Sequence, residues 1–586
     1  MRDSPRARGL DEYREGGKCN FIALAVQCRL VDYVRAKLTR EPERLEKGGR
    51  PLLDYALRPR RISPLTVPYH SQRDEANIEI DMIKLLLDLG ADPNQKIHLN
   101  DGRSNWLEVF HSKRAGRSTT SQTAPIMVTR TPHLINLLRG WPSPSLLPAA
   151  ALTAAAARAL SDPTISVPGL QYAPDPGFQP LREDLAAWLA RVYGAAPEAD
   201  RICITGGASQ SLANILASFT DPGFTRAIWM VAPCYFLACP IFEDAGFGGR
   251  LRAVPEDDDG ANVEILAQKL QALDEAWERD GRGAKPEDLK RGKNRKLYRH
   301  VIYLVPTCAN PSGKTLPLRR REALVRLARA HDALLIADDV YDFLQWPLNP
   351  DVAAAAAAAP FPPRDPHLRL PRLSDVDAAL PGQTPFGNAI SNGSFSKIVA
   401  PGVRTGWVAA TPAFAYGLSQ TGASCSGGAP SQLAAVMVWE LLRSGELERR
   451  LVEESIPQLR ERHRRVLEAV EALLVPLGVA VRRSSLAGAE VYGGYFVWLT
   501  LPEGVRGADV ADRGKELGVT VGAGEKFEVA GDEDGARFER EVRICFSWEE
   551  LEDVVEGVRR LSHAVRDVQQ GKFVAGPKVD ATYIEK

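Results

Sequence analysis

The stretch NGSFSKIVAPGVRTGWV, residues 392–408, sets a lysine among small and hydroxyl-bearing residues and follows it seven positions later with an arginine. Those residue types at that spacing suit an anionic cofactor held beside an amine. Ser394 and Ser396 can offer hydroxyls to a phosphate, and the planar fork of Arg404 can clamp one through two hydrogen bonds. Lys397 is then left for covalent chemistry. Asp338 closes the apolar run ALLIAD (333–338), where an ionised carboxylate is costly unless a cation faces it. Arg543 lies within VRICFSW (542–548), and a guanidinium in so apolar a strand needs an anion, either a substrate carboxylate or a structural partner.

These side chains need a scaffold. RICIT (201–205), AIWMVAP (227–233), VIYLVP (301–306) and ALLIAD are short apolar runs of the kind that form strands buried on both faces. Amphipathic segments such as RRREALVRLARAHD (319–332) lie between several of them. Strand–helix alternation over this length predicts an α/β domain with a mostly parallel sheet. Two inserts, 281–296 and 351–382, are rich in lysine and arginine or in alanine and proline, and are expected as solvent-exposed excursions without regular structure.

Read in order, ITGGASQSL (204–212), APCYF (232–236), VPTCANPSGKTL (305–316), IADDVYDFL (336–344), the Lys397 segment and VRICFSW resemble the motifs of the fold-type I, class I/II aminotransferases. The kynurenine/2-aminoadipate and aromatic enzymes are nearest in character, and the resemblance spans about residues 135–562. It implies the PLP-transferase fold, with a large domain built on a mostly parallel seven-stranded-type sheet and a smaller α+β C-terminal domain. It also implies pyridoxal 5'-phosphate, attached to Lys397. Gly207, Ala208 and Ser209 at a helix start would cradle the phosphate with Ser394, Ser396 and Arg404. Tyr235 would stack on the pyridine ring, and Asp338 would face its protonated nitrogen. The Asp-x-x-Tyr spacing favours Asp338 over Asp339 and gives Tyr341, with Asn310, to the phenolate oxygen.

Lys397, Asp338 and Tyr341 form the implied catalytic set, while Arg543 and Asn310 face the substrate. Gly140, in LLRGWPSPSLLP (137–148), would lie in an amino-terminal segment that closes over the substrate. Tyr172, in LQYAPDPGFQPLRE (170–183), would reach the partner's site in a homodimer. The implied reaction moves an amino group from an L-amino acid (aromatic, kynurenine or 2-aminoadipate-like) to a 2-oxo acid such as 2-oxoglutarate, ping-pong through pyridoxamine phosphate. A lyase on the same scaffold, cleaving a carbon–sulfur bond or forming an aminocyclopropane, stays open. Trp141, Tyr172, Tyr495 and Phe496 suit an aromatic or a long acidic side chain equally.

Ahead of this domain, IEIDMIKLLLDLGADPN (78–94) resembles the second helix and turn of an ankyrin repeat. A helical ankyrin-like segment over 1–110, a linker over 111–130, an aminotransferase domain over 131–568 and a tail over 569–586 are therefore expected. Within the enzyme domain the cofactor-binding part runs over about 165–425, and the small part over about 430–568 with an arm from 131–160. The ankyrin-like segment could dock a protein partner, and at the extreme the chain would be a binding protein with a vestigial enzyme domain. Seventy-four basic and 74 acidic residues balance to a formal charge of +0, which gives no general attraction to nucleic acid or anionic membranes. No apolar stretch reaches the roughly 20 residues of a membrane span. The eight cysteines form no CxxC pair, so no metal site is expected. The first residues lack a secretory h-region and carry acids, so the cytoplasm is expected over the mitochondrion.

Overall fold

The computed structural model describes residues 134–281, 289–290, 294–347, 370–483, 485–486 and 489–573, with the backbone of 96–99 and 102–105. The chain divides into two units, 1–128 and 129–586. In the first, the described strands Lys96–Leu99 and Gly102–Asn105 pair as an antiparallel hairpin. The repeat-like segment 78–94 lies outside the described residues, and the elements described within 1–110 are strands where helix is expected.

In the second unit, eight strands form the main sheet: β1 (Ile202–Thr205), β2 (Ala227–Ala232), β3 (Leu251–Asp257), β4 (Gly260–Ala261), β5 (His300–Leu304), β6 (Ala333–Asp338), β7 (Ala389–Ser394) and β8 (Gly406–Ala409). Their spatial order is β1-β8-β7-β6-β5-β2-β3-β4. The five central strands from β7 to β3 run parallel, β8 is antiparallel to both neighbours, and the two-residue β4 folds back on β3. That short β4 adds an eighth strand to the seven expected. Alternation along β6 shows why the core strands are apolar throughout: Leu334 and Ile336 pack into one core layer, Ala333, Leu335 and Ala337 into the other.

A second sheet is built from β9 (Ala480–Val481), β10 (Phe496–Thr500), β11 (Gly522–Ala523) and β12 (Glu541–Cys545), ordered β9-β10-β12-β11 and antiparallel. Arg543 sits in β12, opposite Trp498 on one side and Gly522 on the other. Residues Ile135–Asn136 pair in parallel with Val519–Thr520, so the amino-terminal arm joins this part of the molecule. Among the described residues no helix is long and apolar enough to cross a membrane, and no metal-binding cluster occurs. Six described cysteines are free; five are buried, while Cys425 is exposed.

The 351–382 insert is partly structured. Leu373–Ala379 forms a helix against Leu318–Ala330, the segment expected as helix over 319–332. Leu373 and Val376, spaced three apart, supply its buried stripe. Asp377, fully buried, receives Arg329 Nε at 2.8 Å. Composition hid this helix because its seven residues follow a proline-rich tract.

At the carboxyl ends of β6 and β7, Asn392 is in register with Asp338, which brings Asp338 beside the turn that carries Lys397. Gly393 makes this approach possible, since a β-carbon there would run into the indole of the buried Trp407. Gly393→Ala is expected to lower stability by about 1–3 kcal/mol through overpacking. Urea denaturation of the two proteins measures it, and an unchanged midpoint would refute the packing account.

Candidate active site

The carboxyl ends of β5, β6 and β7, the start of the helix Ala208–Phe219, the arm 138–141 and strands β10 and β12 enclose a cavity of about 340 Å³. Its lining includes Lys397, Asp338, Tyr341, Ala208, Ser209, Tyr235, Asn310, Ser394, Ser396, Arg404, Gly140 and Arg543. Sequence positions more than 400 residues apart thus converge. Gly207 caps the helix start, with φ +95°, and a β-carbon there would stand 2.7 Å from Arg404 Nη2. Tyr172 lies elsewhere, 84% exposed, beside a second cavity with Leu170 and Leu433.

Asp338 is 7% exposed, and its Oδ2 accepts the Tyr303 hydroxyl at 2.7 Å. Its Oδ1 is buried with no hydrogen-bond partner. Burial raises the carboxyl to about 6, against the lowering effects of the Tyr303 hydrogen bond and the Lys397 charge. Asp339 points the other way and accepts the Ser391 hydroxyl, with burial and Asp342 holding it well above the usual range. Strand alternation separates the two acids, and the one that faces the cavity is Asp338.

Lys397 Nζ donates to Gly140 O at 2.7 Å and stands 4.9 Å from the Tyr495 ring centre. Removal from water lowers its ammonium to about 8, although Cys545 and Asp338 pull the other way. Arg543, 3% exposed, donates Nη1 to Asn310 Oδ1 at 2.8 Å and Nη2 to Leu138 O, and its Nε has no hydrogen-bond partner. Its guanidinium stacks 4.0 Å from Phe496 and 4.6 Å from Phe527. No carboxylate pairs with it among the described residues, and burial pushes it down to about 10. Arg404 takes a left-handed backbone (φ 46°), with Nη2 on Gly206 O at 2.8 Å and Nη1 reaching Ser396 Oγ at 3.4 Å. Ser394 Oγ in turn donates to Ser396 Oγ at 2.9 Å.

Several contributors escape motif reading. Tyr303 is the penultimate residue of β5, one more apolar-strand residue in sequence; only the sheet brings its hydroxyl to Asp338. Asn392 Nδ2 donates to Ala208 O at 3.0 Å and ties the Lys397 strand to the helix start. Arg139 also lines the cavity, and nothing in its sequence setting marks it.

Residues 146–558 match the family described as aminotransferase class I and II. An uncharacterized protein of Saccharomyces cerevisiae is 34% identical over 74% of this chain and 98% of its own length. The 2-aminoadipate transaminase of Thermus thermophilus is 29% identical over 79% of this chain and 98% of its own. Among solved structures, the kynurenine aminotransferase of Pyrococcus horikoshii, in complex with PMP and kynurenine, is 26% identical with a TM-score of 0.58. That likeness covers 79% of this chain and 98% of that one.

The raised Asp338 carboxyl has a stability consequence. Its folded value, about 6, exceeds the roughly 3.9 of an unfolded aspartate, so the stabilising effect is full below pH 4 and is lost as pH rises through 6. In cofactor-free protein, Asp338→Asn should escape that loss and gain on the wild type by on the order of 2–3 kcal/mol between pH 4 and 7. Urea midpoints across that window test it; a constant difference would refute it.

Proposed function

Because the chain belongs to the class I and II aminotransferases and is a pyridoxal-phosphate-dependent enzyme, we propose that it transfers the amino group of an L-amino acid with an aromatic, kynurenine-like or 2-aminoadipate-like side chain to a 2-oxo acid such as 2-oxoglutarate. The observation that carries this reading is the convergence of one amine, one buried carboxylate and two anion-seeking arginines on a single cavity. The donor set fits the cofactor. Asp338 Oδ1 is a buried acceptor without a donor, which suits a protonated pyridine nitrogen. Gly207 leaves room where a side chain would strike Arg404, which suits a phosphate held between that arginine, the two serines and the amides of Ala208 and Ser209.

When bound, pyridoxal phosphate supplies an electron sink for the electrons released at the substrate's α-carbon. The protein supplies the rest. Asp338, ionised opposite a cation, would keep the ring nitrogen protonated. Tyr235 would hold the ring, and Asn310 and Tyr341 would hold its phenolate oxygen. Arg543 exchanges its contacts with Leu138 O and Asn310 Oδ1 for the α-carboxylate, a stronger acceptor for a buried guanidinium. Lys397, whose burial makes the neutral amine accessible near neutral pH, would hold the cofactor covalently, and its amine, freed when the substrate's amine takes its place, would accept the proton from the α-carbon. Leu138, Arg139, Gly140 and Trp141 line the same cavity and shield it from water.

The assembly we propose is a homodimer with shared sites. Its support is Tyr172, which projects from the surface beside exposed Leu170 and Leu433, apolar side chains of the kind subunits cover.

Lys397→Ala should abolish covalent attachment, so that reducing the purified holoenzyme with borohydride labels the wild type and leaves the variant unlabelled. Label retained by the variant would reject Lys397. Product analysis extends the test: with an aromatic or acidic amino acid and 2-oxoglutarate, glutamate should form, while pyruvate and ammonia released without an acceptor would overturn the transaminase reading. The rate of cofactor attachment to cofactor-free protein should rise with pH and level off above about 8, because only the neutral amine attacks. A rate independent of pH between 6 and 9 would refute that reading (roughly, one unit below to two units above neutrality).

A further inference from the structure

Outside the cavity's lining, one buried acid of the main sheet takes no part in the chemistry above. Glu256 is the penultimate residue of β3, and its side chain is 4% exposed. A carboxylate removed from water is costly unless it is both hydrogen-bonded and paired. Glu256 is both. Its Oε1 accepts the Ser312 hydroxyl at 2.9 Å, and its Oε2 stands 3.4 Å from Arg482 Nη1. Burial raises its carboxyl, and the charges of Lys314 and Arg482 oppose that rise. Lys314 also donates to Asp257 O, one residue further along β3.

These partners come from two parts of the enzyme domain. Ser312 belongs to a tight turn, 309–314, closed by Ala309 N–H on Lys314 O at 2.8 Å and by Gly313 N–H on Ala309 O at 2.7 Å. The same turn carries Asn310, whose Oδ1 accepts Arg543 Nη1 at 2.8 Å. Arg482 directly follows β9, and its backbone N–H donates to Trp498 O at 3.0 Å. Trp498 lies opposite Arg543 in the register of β10 and β12. The second sheet therefore sends two arginines to one turn: Arg543 reaches Asn310 directly, and Arg482 reaches Ser312 by way of Glu256. Glu256 and Asn310 also line one small cavity, together with Tyr235 and Tyr303.

The two ties differ in what substrate does to them. Under the proposed function a substrate carboxylate would draw Arg543 away from Asn310, so that contact cannot hold the turn throughout the reaction. The Ser312–Glu256–Arg482 tie contains no group that meets substrate, and it would persist. We infer that Glu256 is a positioning residue, which fixes the Asn310 turn through Ser312 and anchors it to the second sheet through Arg482 while Arg543 is engaged elsewhere. This rests on the reading of Asn310 as a donor to the cofactor's phenolate oxygen.

The test is a pH titration of the bound cofactor's absorbance in the holoenzyme. A hydrogen bond donated to the phenolate oxygen favours its anion, so a loosened Asn310 should raise the titration midpoint. Ser312→Ala and Glu256→Ala should each raise it by about half a unit to one unit, a roughly three- to tenfold change in proton affinity. Glu256→Gln keeps an acceptor for the Ser312 hydroxyl, and its midpoint should fall between those of the wild type and the alanine variant. Asn310→Ala should raise the midpoint at least as far, and adding Glu256→Ala to it should raise it no further. Wild-type midpoints in Ser312→Ala and Glu256→Ala, or a further rise in the double variant, would overturn the inference while leaving the reading of Asn310 intact. If Asn310→Ala itself leaves the midpoint unmoved, that reading fails and the inference fails with it. Ser312→Ala removes a single hydroxyl, so it decides the question should Glu256→Ala not fold.

Discussion

A buried carboxylate at the end of a parallel strand has to be held by something, and at Asp338 the protein supplies only part of the hold. One phenol donates to Oδ2, a lysine contributes charge, and the second oxygen is left without a donor. The carboxyl sits at about 6 as a result, close enough to neutrality that a nearby cation decides its state. That incomplete compensation organises the rest of the site. The strands β5, β6 and β7 have to end together for Tyr303, Asp338 and the Lys397 turn to meet, and their parallel register achieves it. Gly393 has to be a glycine because the turn's strand lies flat on Trp407.

The neighbouring acid shows how narrow the arrangement is. Asp339 differs from Asp338 by one position, and in a strand one position is one face. Below the sheet it meets Ser391 and, through charge, Asp342, Arg372 and Arg321. Within that group Tyr193 donates to Asp342 at 2.9 Å, and Arg372 pairs with Asp375 at 2.8 Å. A slip of one residue in β6 would exchange an acid held in a network for one left facing the cavity. Register in this strand therefore sets the chemistry as well as the packing.

Motifs make much of this legible in the sequence, because the candidate site residues sit in short stretches whose local geometry is nearly self-determined. Lys397, Ser394, Ser396 and Arg404 share one turn, and Asp338 and Tyr341 are three residues apart. Apolar runs located the central strands, since a parallel strand buried on both faces has little choice of composition. What stayed hidden depended on long-range placement. Tyr303 is one more apolar-strand residue until β6 lies next to it. The helix Leu373–Ala379 has too few residues to announce a period against its alanine and proline background. Arg139 is an arginine in a loop-like arm, and only the fold sets it beside both Trp141 and Trp548.

Three parts of the enzyme domain meet at Arg543. Its fork contacts Asn310 from the loop after β5 and Leu138 from the arm, and its face lies on Phe496 of β10 and on Phe527. None of those neighbours is an anion, so the guanidinium carries a desolvation cost that neutral acceptors offset only in part. Under the proposed function a substrate carboxylate would remove most of that cost, and it would compete for the donor that holds Leu138 O. Lys397 holds Gly140 O in the same way, two residues on. The arm is therefore fastened at Leu138 O and Gly140 O by two cations of the cavity. Under the proposed function, substrate binding would be coupled to the position of the arm, because both cations hold one short stretch of backbone.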